Sequence, residues 1–120
     1  MTNNFNVCLI NARSVMPKLF SLSETLDELS TDVCFITETW IKEDRNTNQQ
    51  LEDFQNLSGY SMLRKDRREG RGGGVAICFK TDTISMTPTK IKHTDFEILA
   101  AIGRRVGQRR KVLALSLIHI

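Results

Sequence analysis

Apolar residues fall along this chain in two distinct periods. Leu19, Leu22, Leu26 and Leu29 recur at spacings of three and four, with Glu24, Asp27 and Glu28 between them. That pattern predicts an amphipathic helix from about Pro17 to Leu29. Pro17 suits its first turn, where a missing N–H costs nothing. Elsewhere the apolar residues come in short runs that predict strands: Phe5–Ile10, Val33–Thr37, Gly59–Leu63 and Val75–Phe79, then Thr83–Met86, Phe96–Ile102 and Val112–Leu117. Polar Ile41–Gln50 is read as an irregular loop and Leu51–Phe54 as a short turn. Arg64–Gly74 reads as a charged hairpin loop, and Gly103–Lys111 joins the last two strands. No internal repeat is visible.

The chain therefore opens strand, helix, strand, which suits a crossover bringing two parallel strands into one sheet. The leucine face should pack on a sheet containing Cys8, Phe35 and Ile77. An early helix followed by strands indicates an α/β or α+β fold rather than all-β. Parallel neighbours end on the same sheet edge, so Asn11 and Glu38, each just past its strand, are placed side by side. A carboxylate leaving a core strand is costly to desolvate unless a cation or donors face it. Asn11 and Glu38 thus form a candidate site, set against the plainer reading of a solvated loop glutamate.

Composition adds bounds. The 120 residues, 40% apolar and 26% charged, suit one ordinary globular domain or part of one. No apolar run is long enough to cross a bilayer, and Met1-Thr2-Asn3-Asn4 is no signal peptide. Cys8, Cys34 and Cys78 lack metal-type spacing and read as buried, reduced thiols of an intracellular protein. The net charge of +3 hides an asymmetry. Residues 1–60 carry four basic against nine acidic residues, net −5, and residues 61–120 carry thirteen against five, net +8. The second half could meet a polyanion, or its charge could simply be solvated.

Arg71-Gly72-Gly73-Gly74 is not a phosphate-binding P-loop, because a strand rather than Gly-Lys-Ser/Thr and a helix follows it. Its glycines read as a turn permitting positive φ and close backbone approach. Alternatively Arg64, Lys65, Arg67 and Arg71 flank a nucleic-acid groove as phosphate contacts.

Three stretches in order carry a family resemblance: Leu9-Ile10-Asn11-Ala12-Arg13-Ser14; Asp32-Val33-Cys34-Phe35-Ile36-Thr37-Glu38-Thr39-Trp40; and Gly59-Tyr60 with Arg64-Lys65-Asp66-Arg67 and Gly70-Arg71-Gly72-Gly73-Gly74-Val75-Ala76-Ile77. Together they resemble the endonuclease domain of non-LTR (LINE-type) retrotransposons. That domain belongs to the endonuclease/exonuclease/phosphatase superfamily and is similar to apurinic endonucleases and DNase I. The match spans residues 5–115, about the first half of such a domain. It implies a two-sheet α/β sandwich, here incomplete, and Mg²⁺ or Mn²⁺ with no small-molecule cofactor. Glu38 falls on the family's metal-binding glutamate and Asn11 on its active-site asparagine. The implied reaction is phosphodiester hydrolysis that nicks target DNA, inside the nucleus and away from membranes, to leave a 3′-hydroxyl for primed reverse transcription.

The family's later elements are missing: a tyrosine after a strand, an Asp-x-Asn pair and a terminal Asp-His. Tyr60 is in the wrong place for the first, and His93, in a polar stretch, reads as solvated. The general base is expected outside this chain, in the missing second half, and the fragment alone should be inactive. The competing reading is a non-catalytic basic module binding nucleic acid through Arg64–Arg71 and Arg104–Lys111. A phosphoinositide or other phosphomonoester substrate fits the Arg-rich glycine loop and Thr-Glu-Thr-Trp context poorly. Finally, Leu115–Ile120 reads like the translation of CTG TCT CTT ATA CAC ATC, the end of a transposase-based sequencing adapter. Residues 1–114 are therefore expected to be the amino-terminal half of the domain, with 115–120 an added tail that its pattern could still pair as a strand.

Overall fold

The computed structural model describes residues 5–67, 72–91, 97–107 and 113–119. Strand β1 (Val7–Asn11) leads through a 3-10 turn (Met16–Lys18) into helix α1 (Leu19–Glu28) and strand β2 (Val33–Thr37). Helix α2 (Arg45–Ser58) follows, then β3 (Tyr60–Lys65), β4 (Val75–Lys80), β5 (Ile84–Thr89), β6 (Glu97–Arg105) and β7 (Leu113–His119).

The strands form two sheets. The first has the order β1-β2-β4-β3, with β1 and β2 parallel and the other pairs antiparallel; the second is an antiparallel β5-β6-β7 meander. The opening crossover is as the sequence predicts. The segment Leu115–His119 pairs with Glu97–Ala101 as part of β7.

Side chains alternate across each strand, so the first sheet has two apolar faces. One faces the helices: Cys34, Ile36, Ala76, Cys78 and Tyr60 pack with Leu22 and Leu26 of α1 and Phe54 of α2, and Cys8 and Ile10 close this core. The other faces the second sheet, where Val33, Val75, Ile77 and Phe79 meet Ile84, Leu99 and Ala101. Phe35 and Ile77, expected beneath α1 with Cys8, belong to this second core. They are one residue out of phase with Cys34 and Cys78 and paired with each other in register.

Helix α1 is shorter than its pattern suggests. Residues 16–18 wind as a 3-10 turn, and Leu29 is the C-cap, half exposed where it was expected to pack. Helix α2 replaces the expected loop and short turn. Asp44 caps it by accepting a hydrogen bond from the Thr47 N–H at 2.7 Å, and Gly59 ends it in the left-handed conformation. Only Phe54 is fully buried along its length, and Leu51, Phe54 and Leu57 are its only apolar residues, so its composition reads as polar. No helix among the described residues is long and apolar enough to cross a membrane.

Candidate active site

The exits of β1 and β2 are fastened together beyond their last paired residues, Asn11 and Thr37. The Ala12 N–H donates to the Thr37 carbonyl at 2.9 Å, Ser14 N–H to Glu38 at 3.0 Å and Val15 N–H to Thr39 at 2.9 Å. Lys18 Nζ ties down the β1 side, donating to the Ala12 carbonyl at 2.6 Å and the Arg13 carbonyl at 3.0 Å. Asn11 is exposed and Glu38 half-buried, one residue apart in register at this edge.

The other flank of the β2 exit is held by the glycine loop. Thr39 N–H donates to the Gly74 carbonyl at 3.2 Å, and Trp40 N–H to the Gly73 carbonyl at 2.9 Å. Glu38-Thr39-Trp40 is thus pinned from both sides. The backbone is strained to do it: Arg13, Ser14, Glu38 and Trp40 all have left-handed φ, at 43°, 79°, 53° and 54°. Such outliers, each costing on the order of 1–3 kcal/mol, persist where surroundings over-determine them and cluster at functional sites.

The glycines are required by this contact. Gly73 and Gly74 have φ of 74° and 84°, and a Cβ would meet the Arg67 guanidinium at the first and Thr39 Oγ1 at the second. Glu97 of β6 buttresses the loop, its carboxylate accepting from the Gly74 N–H at 2.7 Å and from Arg67 Nε at 3.1 Å. The loop gives both features that its composition suggested, positive φ and close backbone approach. Thr39 and Glu97 were not singled out by sequence. Thr39 is marked by its burial and its strained neighbours only once the fold is seen, and Glu97 joins Gly74 across 23 positions.

The basic residues near this loop differ in setting. Arg64, one of the four residues read as phosphate contacts, is half-buried, bonded to Asp66 at 3.2 Å and to Asn48 at 2.8 Å. Burial pushes the Asp66 carboxyl above the usual range, and the Arg64 guanidinium partly offsets that shift. Lys65 is exposed at the end of β3, and Arg67 is exposed while bonded to Glu97. Arg71 and His93 lie outside the described residues.

Among the described residues no three His, Cys, Asp or Glu side chains are grouped to hold a metal ion. The donor set at the strand exits is one carboxylate and one amide. That set does not suit Zn²⁺, which takes three or four His, Cys or carboxylate ligands. It does fit Mg²⁺, which takes one or two carboxylates and fills its shell with waters and substrate phosphate.

No family model matches the chain, and no curated protein sequence matches it. Solved structures do match. ANGEL2, a 2′,3′-cyclic phosphatase in complex with adenosine-2′,3′-vanadate, superposes with a TM-score of 0.64 at 15% identity, over 97% of this chain and 41% of that one. TDP2 of D. rerio, complexed with a single-strand DNA product, gives 0.56 at 16% over 98% and 45%. An AP endonuclease from Archaeoglobus fulgidus gives 0.54 at 17% over 82% and 37%. The chain thus spans less than half the length of each of these proteins. Likeness at such identity is likeness of fold, and the fold is the two-sheet α/β architecture of endonuclease/exonuclease/phosphatase-type enzymes.

Proposed function

We propose that this chain is the amino-terminal half of a metal-dependent DNA endonuclease domain of a non-LTR retrotransposon, inactive by itself. The observation that carries the reading is the doubly pinned, strained exit of β2, which holds Glu38 beside Asn11 on a rigid sheet edge. Ala12, Val15, Thr39 and Ile41 on either side are buried and anchor the exits, while Glu38 itself is left at the surface edge with its backbone fixed. The folds it shares with a cyclic phosphatase, a DNA-product complex and an AP endonuclease support hydrolysis at phosphorus.

In this reading Glu38 supplies the single carboxylate for Mg²⁺ or Mn²⁺, and the Asn11 amide, donor and acceptor both, orients a phosphate oxygen. When bound, the metal would supply positive charge to stabilise the phosphoryl and leaving-group oxygens. Positioning by the pinned backbone keeps Glu38 from relaxing away from the phosphate. The base that takes the proton of the attacking water belongs to the remaining half, as do the other metal ligands. The proposed partners are DNA in the nucleus and that second half. Residues 115–120 are proposed to be the adapter-derived tail, so the native frame continues past Ala114.

The test joins residues 1–114 to the genomic frame that follows codon 114 and measures nicking of supercoiled plasmid with Mg²⁺. The extended domain should nick, its Glu38→Gln variant should lose at least about 100-fold of that rate, and the 120-residue chain should not nick. Salt-sensitive DNA binding without nicking by the extended domain would favour the non-catalytic basic module. Genomic DNA that encodes Leu115–Ile120 followed by a stop would overturn the fragment reading.

A further inference from the structure

Trp40 is the sole tryptophan of the chain, and what sets it apart from other exposed apolar residues such as Phe20 and Leu57 is its place beside the strained exit of β2 and the glycine loop. It lies two residues past Glu38 and is 45% exposed. Its backbone is left-handed at φ 54° and locked by the bond from its N–H to the Gly73 carbonyl. The indole rests on Gly72, where a Cβ would sit 3.0 Å from Trp40 Nε1. Gly72, at φ 71°, leaves the space that the ring edge occupies. The chain therefore combines a strained residue and a side-chain-free support to hold an aromatic ring rigid and partly open to solvent.

We propose that Trp40, seated on Gly72 two residues from Glu38, is a stacking platform for an unpaired base of a nucleic-acid substrate. This rests on the function proposed above and adds a contact to the base, which neither Asn11 nor Glu38 supplies. Every base has a π-face, so such a platform holds a strand next to a phosphate site without reading its sequence. A rigid ring is better suited than a mobile one because less side-chain freedom is lost on binding. The basic residues at the neighbouring loop, Lys65 among them, would meet the phosphates on either side.

A single tryptophan makes the test direct. The emission of Trp40 in the 120-residue chain is followed while oligo-dT, or an abasic deoxyribose-phosphate oligomer of equal length and charge, is added. Binding of each is measured separately by the anisotropy of a labelled copy. Oligo-dT should quench the emission and the abasic oligomer should bind without quenching. Trp40→Ala should weaken oligo-dT binding roughly tenfold, leave abasic binding unchanged, and be rescued by Trp40→Phe. If both oligomers bind equally and neither quenches, the platform is overturned while nucleic-acid binding stands. If neither binds, the platform is overturned, while the endonuclease reading is decided separately by nicking with the domain extended past codon 114. Should Trp40→Ala not fold, the quenching contrast in the unmutated chain and the Trp40→Phe affinity still decide the matter.

Discussion

Tyr60 shows what a single polar atom does inside the helical core. Its hydroxyl donates to the Thr31 carbonyl at 2.6 Å and lies 3.4 Å from the Leu26 carbonyl, bracing the turn after α1. Burial, reinforced by nearby Cys78, Asp27, Asp32 and Cys8, pushes its phenol from 10.0 up to about 12. A phenol raised on folding leaves the folded state holding more protons between those values. Its contribution to stability is therefore complete below pH 10 and is lost as pH rises towards about 12. Tyr60→Phe should cost about 1–3 kcal/mol at neutral pH by orphaning a buried carbonyl, and should flatten the alkaline fall in stability. Urea midpoints across that pH range check both effects. At this scale the sequence is informative about where Asn11 and Glu38 lie, because an apolar run that stops at a polar residue marks a strand exit. It was silent on Glu97 and the Gly73–Arg67 contact, since nothing local marks partners brought together by the second sheet.

Elements were legible where a strong period coincided with one buried face. Leu22 and Leu26 are buried as the α1 spacing requires, but the same spacing carries on to Leu29, which is 56% exposed because the helix has ended. The two residues give a paired prediction. Leu26→Ala should cost about 2–5 kcal/mol as a fully enclosed leucine, whereas Leu29→Ala should fall within about 0.5 kcal/mol, as surface changes do. Thermal or urea unfolding of the two variants separates a packed position from one that merely keeps the rhythm. Helix α2 escaped notice for the opposite reason. Its stripe is only Leu51, Phe54 and Leu57, three apolar residues in fourteen, of which Phe54 is buried, Leu51 half-buried and Leu57 exposed. Its termini were written more clearly than its middle, in Asp44 and Gly59. The strands were found as elements, yet their faces were assigned less well. Cys8, Phe35 and Ile77 are each in an apolar run, and a continuous run does not say which residues face the helices.

On the scale of the whole molecule, two sheets of unequal size leave one apolar strip uncovered. The second sheet packs chiefly over β3 and β4, while β1 lies at the far edge of the first sheet. Val7 and Leu9, in register with Val33 and Phe35, stand 52% and 70% exposed on the face that elsewhere forms the inter-sheet core. Among the described strands β1 also pairs with β2 alone, which leaves its outer edge as a template for another strand. Exposed apolar surface next to an open strand edge favours association with whatever completes it. The proposed remaining half of the domain is the natural cover, since the matched structures are more than twice as long as this chain. Leu9 then behaves differently in the two settings. In the 120-residue chain Leu9→Ala should change stability by less than about 0.5 kcal/mol and reduce self-association seen by sedimentation. In the domain extended past codon 114 the same substitution should cost about 2–5 kcal/mol, as for a leucine enclosed on all sides. Equal and small effects in both proteins would mean that the strip beside β1 stays open in the complete domain and that the second half docks elsewhere.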